Sequence, residues 1–108
     1  MQRLPYRATT ASGDVFDIGF PLHEQTGSAV RVAQLLTAVL GTLDRDIGVV
    51  GETSNGDVLQ ALAMAMAVRS GMIHAPREVT GALASRLLGD ALAAMDEAER
   101  IAAPAGHA

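Results

Sequence analysis

A chain of 108 residues with a net charge of −4, 49% apolar and 19% charged, has the size and composition of one folded domain and not of a disordered segment. The absence of cysteine excludes disulfides, thiolate metal sites and thiol nucleophiles, and because all eight basic residues are Arg, lysine Schiff-base chemistry is excluded too. The acidic balance disfavours a phosphate-tracking surface, so nucleic acid is not an expected partner.

Residues 4–22 predict a β-hairpin. Tyr6–Thr10 and Val15–Phe20 supply β-branched and aromatic residues, and Ala11-Ser12-Gly13-Asp14 supplies the turn. Alternation in the second arm places Phe16, Ile18 and Phe20 on one face, expected to be the buried one. Pro21 ends regular pairing. A polar loop follows, with Ser28 as N-cap of a first helix running to about Leu43. Val32, Leu35, Leu36, Val39, Leu40 and Leu43 form its apolar stripe.

Asp44-Arg45-Asp46 reads as a charged connection, and Ile47-Gly48-Val49-Val50 as a short buried strand. After the loop Gly51–Gly56, a second helix is capped by Asn55 or Asp57 and closed by Arg69-Ser70-Gly71. Its centre, Val58–Val68, carries Gln60 as its single polar residue. A helix without a polar face needs cover on every side, so it is expected to be the central column of the core or an oligomer interface. At fewer than the roughly 20 apolar residues a bilayer requires, it is no membrane span.

A third helix begins at Pro76 and extends to about Ile101, with Leu83, Leu87, Ala91, Ala94, Ala98 and Ile101 on one side. The predicted fold is α+β in the order ββαβαα. A hairpin and a third short strand form a small sheet with a right-handed βαβ crossover, three helices pack on it, and the second helix is buried. Residues 1–103 form one domain; 104–108 are expected to be a flexible tail.

Chemistry is sparsely marked. Two polar loops, His23–Ser28 and Glu52–Asp57, precede helices, and parallel strands would bring them together beside two helix N-termini, places that favour anions. Thr26, Ser28, Thr53, Ser54 and Asn55 are the candidate hydrogen-bonding residues for a small anionic ligand. His23, Glu24 and Glu52 are the titratable candidates for acid–base catalysis. The same residue types also cap helices whatever the protein does. No GxxxxGK[ST], GxGxxG or HExxH pattern occurs, so no cofactor and no metal site is expected.

Gly81-Ser85-Gly89 on the third helix, with Ala61-Ala65 and Ala63-Ala67 on the second, form flat rows that permit close helix approach, within a chain or across a dimer. Met64, Met66, Met72 and Met95 read as core filling. The segment Ala67–Thr80 is only faintly like a helix-turn-helix, its connection being too long.

With two Phe, one Tyr and no Trp, the core lacks large anchors. The reading that follows is a homodimeric accessory or interaction domain without catalysis of its own. A small-anion binder or weak acid–base enzyme around His23 and Glu52 is the alternative. The Ala- and Gly-rich, lysine-free composition suggests GC-rich coding and a bacterial source. Neither a leader-like apolar run nor a bilayer-length stretch is present, so the expected location is cytoplasmic.

Overall fold

A computed structural model describes residues 2–103. Strands β1 (Arg3–Thr9) and β2 (Val15–Pro21) pair antiparallel from Arg3↔Pro21 to Thr9↔Val15. The turn is held by Thr10 N–H donating to the Asp14 carbonyl at 2.8 Å and Gly13 N–H donating to the Thr10 carbonyl at 3.0 Å. Gly13 sits at φ 96°, a conformation open to glycine and costly for most other residues. The expected hairpin is thus present, and its alternation is the expected one. Leu4, Tyr6, Ala8, Phe16, Ile18 and Phe20 turn inward, with Ile18 buried, whereas Arg7 and Asp17 pair on the outer face.

Helix α1 (Ala29–Val50) begins where Ser28 predicts, with the Ser28 hydroxyl accepting from Arg31 N–H at 3.1 Å. Its end does not match the expectation. Residues 44–46 are not a connection and 47–50 are not a strand; both continue the helix, which stops at Gly51. Asp44, Arg45 and Asp46 are compatible with a helix, and Leu43, Ile47 and Val50 prolong its apolar side. Gly51, at φ 110°, donates its N–H to the Ile47 carbonyl and is the true terminator.

Helices α2 (Asn55–Gly71) and α3 (Arg77–Asp96) follow. The chain leaves α3 at Glu97 and forms β3 (Glu99–Ile101), so Ala98 and Ile101 do not extend that helix as the periodicity suggests. β3 pairs antiparallel with β2, from Val15↔Ile101 to Asp17↔Glu99. Asp14 anchors it by accepting from Arg100 and from Ala103 N–H, and the Arg100 guanidinium lies 5.0 Å from the Phe16 ring centroid.

The protein is therefore an α+β fold with a three-stranded antiparallel sheet, a hairpin plus a third strand, and three helices. The order is ββαααβ, not ββαβαα, because the third strand comes from the end of the described chain; no βαβ crossover exists. Sheet order β1-β2-β3 leaves β1, carrying Arg3, Pro5 and Arg7, and the three-residue β3 at the margins. The tail expected at 104–108 lies outside the described residues.

Packing departs furthest from expectation. α3 lies on β2 and α2 lies on α3, while no Cα of α1 comes within 8 Å of either helix. No residue of α2 is buried, so α2 is not the central column; Leu59, Met64 and Val68 are each more than half exposed. The reason is that α2 has a neighbour only on its α3 side. Buried apolar residues among those described are Ile18 and Ala94 alone. The molecule measures 56 × 34 × 22 Å with a radius of gyration of 15.7 Å, against about 13 Å for a compact chain of this length.

Candidate functional site

The two polar loops sit at opposite ends of α1. A 22-residue helix is about 33 Å long, so His23, Glu24, Thr26 and Ser28 are not brought together with Glu52, Thr53, Ser54 and Asn55 in one chain. Convergence required parallel strands on either side of the first helix, and the second of those strands is part of that helix.

Within each loop the polar groups are engaged locally. Ser54, and not Asn55 or Asp57 as expected, caps α2 by accepting from Asp57 N–H at 3.1 Å, as Ser28 caps α1. The Thr53 hydroxyl donates to the Gly51 carbonyl at 3.0 Å, and Asn55 is the first residue of α2. His23 accepts from Gln25 N–H through Nδ1 at 3.1 Å, which leaves Nε2 as the ring's other hydrogen-bonding atom. His23, Glu24 and Thr26 line a recess of about 310 Å³ together with Gln2, Leu22 and Arg86. Arg86 comes from α3, and no sequence spacing ties it to His23. Among the described residues no three His, Asp or Glu side chains are grouped to hold a metal ion.

The larger unexplained surface is apolar. Thr37 marks the side of α1 that meets the sheet, its hydroxyl 2.9 Å from the Tyr6 hydroxyl. The apolar stripe is centred about 130° around the helix from Thr37, counting 3.6 residues per turn. On α1 the residues Ala29, Ala33, Leu36, Leu40, Leu43 and Ile47 are half-buried, and further apolar residues beside them stay exposed. Val32, Leu35 and Val39 are 40%, 49% and 46% exposed. Ala29, Ala33, Leu36, Leu40, Leu43, Ile47 and Val50 alternate spacings of four and three, the repeat by which one helix seats against another. This repeat is the signal in the sequence that a break at Leu43 concealed.

A second apolar surface lies between α2 and α3. The flat rows noted above meet there: Ala63 and Ala67 face Gly81, Ala84 and Ser85 across a groove of about 330 Å³. Thr80 is buried and Met66 half-buried here, yet an added Cβ at Gly81 would meet no atom within 4 Å.

Ion pairs lie on the outer face of the sheet and at the tip of the hairpin. The Ala103 N–H and then the Arg100 guanidinium hold the Asp14 carboxyl below the ordinary carboxylate range. The hydrogen bond from Arg7 does the same to Asp17, with Nε–Oδ1 at 2.7 Å. Neither pair borders the recess or the groove.

Taken with its lack of cysteine, metal-ligating clusters and assembled catalytic groups among the described residues, the chain is a small α+β domain without evident reaction machinery. No helix of the described residues is long and apolar enough to cross a membrane. Compared with known protein families, curated proteins and solved structures, the chain matches none.

Proposed function

We propose that this chain is a homodimeric interaction domain, bacterial and cytoplasmic, in which association completes the core and no catalysis is performed. The observation that carries this reading is the state of the core. Among the described residues no large side chain is fully buried in the single chain, while 17 large apolar residues are exposed. Burial of apolar surface is the main favourable term in folding, at about 25 cal/mol per Å². A chain that leaves an apolar side of α1 and the α2–α3 groove open gains little of that term alone. Assembly with a copy of itself supplies it without requiring a second gene product, and two-fold closure is the commonest solution.

The alternative, a small-anion or acid–base role, keeps in its favour only the recess beside His23 and Arg86. Ser28 and Ser54 serve as caps and Glu52 stands at the far end of α1. The test is size-exclusion chromatography with light scattering. Two chains per particle at micromolar concentration is the expected result, and a folded, stable monomer at that concentration overturns it.

A further inference from the structure

We infer that the two copies exchange their first helices, α1 of each lying in the α2–α3 groove of the other. This rests on the homodimer reading above and goes further by assigning the surfaces. The first support is area. The chain exposes 8239 Å², whereas a folded monomer of its mass exposes about 5,700 Å². The excess is about 2,000–2,500 Å² per chain, or about 4,000–5,000 Å² for two, within the range buried by obligate homodimers.

A symmetric pairing of the two α1 stripes covers one of the two apolar surfaces and leaves the α2–α3 groove open. Exchange covers both with a single contact made twice. A second copy is the occupant because it is the partner that brings a complementary stripe and groove at once and so closes the pair under two-fold symmetry.

Shape and charge agree. The stripe of α1 carries branched side chains at Leu36, Val39, Leu40 and Leu43, and the groove is floored by Ala63, Ala67, Gly81, Ala84 and Ser85. Large residues on one element against small residues on the other give close helix packing. α1 is about 33 Å long, and α2 and α3 are about 25 and 30 Å, so the groove supports most of the stripe. Asp44 and Asp46 lie in the last third of α1, and Arg77 lines the groove at the start of α3. Running α1 antiparallel to α3 of the partner sets these opposite charges at the same end. The connection that permits exchange is Gly51–Ser54, the segment where the chain leaves α1 without turning it back onto α2.

The cysteine-free sequence makes the test direct. Chains carrying Val39→Cys and chains carrying Ser85→Cys are mixed, unfolded, refolded together and treated with a short bismaleimide. Exchange predicts the Val39→Cys to Ser85→Cys adduct as the main covalent dimer. Adducts of Val39→Cys with itself, without the mixed adduct, overturn exchange while leaving the homodimer intact. Monomeric particles overturn both. As a second measurement, Gly81→Leu places a side chain in a groove that is open in the single chain. Overpacking an occupied groove is expected to weaken dimerisation by about tenfold or more. Unchanged or tighter dimerisation of a folded Gly81→Leu protein overturns the assignment of the groove.

Discussion

At the level of single residues, Asp14 ties the most distant parts of the chain together. Its own N–H donates to the Thr10 hydroxyl at 3.0 Å, while its carboxylate accepts from Arg100 and from Ala103 N–H. The folded state holds this carboxyl below its ordinary range. Its stabilising contribution is thus complete above the unfolded value and is lost as pH falls through the depressed folded one. Below about pH 4, near the ordinary aspartate value, β3 is expected to detach before the hairpin opens. Amide exchange at Glu99–Ile101 should accelerate relative to Tyr6–Ala8, and Asp14→Asn should abolish that difference while the acid response of the Arg7–Asp17 pair persists. Equal acceleration in both segments would show that Asp14 does not govern β3. Local chemistry was legible in part at this scale: Ser28 caps α1 as its type and position imply, whereas α2 is capped by Ser54 and not by Asn55 or Asp57. The partners of Asp14 were not, because separations of 86 and 89 residues leave no periodic trace.

Among the elements, α1 shows how a sequence pattern misleads. Three consecutive charges and a glycine resemble punctuation, yet Asp44, Arg45 and Asp46 occupy helical positions and Gly48 is passed through with no atom within 4 Å of an added Cβ. The four-three spacing through Ile47 and Val50 outweighs the local breakers. Two substitutions separate the possibilities. Gly48→Ala is expected to stabilise the protein by about 0.5–1 kcal/mol, since alanine is the better helix former. Gly51→Ala, at φ 110°, is expected to cost about 1–2 kcal/mol. Urea unfolding curves measure both, and a destabilising Gly48→Ala would mean that the helix ends earlier. The hairpin and the start of α1 were readable from turn and cap residues, and the start of α2 to within a few residues. The strand at 99–101 was not, because three residues are too few to show a period of two.

For the molecule as a whole, the question is what stabilises a chain with so little interior. The apolar run of α2 signalled a need for cover, but cover by the chain's own sheet does not follow from it, and the structure supplies none. Composition reports how much surface must be hidden; it is silent on which molecule hides it. If a second copy does, folding and association form one equilibrium. The thermal midpoint should then rise with protein concentration, because dilution favours the unfolded chains. A midpoint constant across a hundredfold range of about 1–100 μM would mark a self-sufficient monomer. The sheet, for its part, offers newcomers little berth along β1. Pro5 lacks an amide hydrogen, and Arg3 and Arg7 guard the same flank. Strand-by-strand accretion, the usual road to fibrils, is opposed on that side, so crowding should drive this protein toward small closed particles joined by helices.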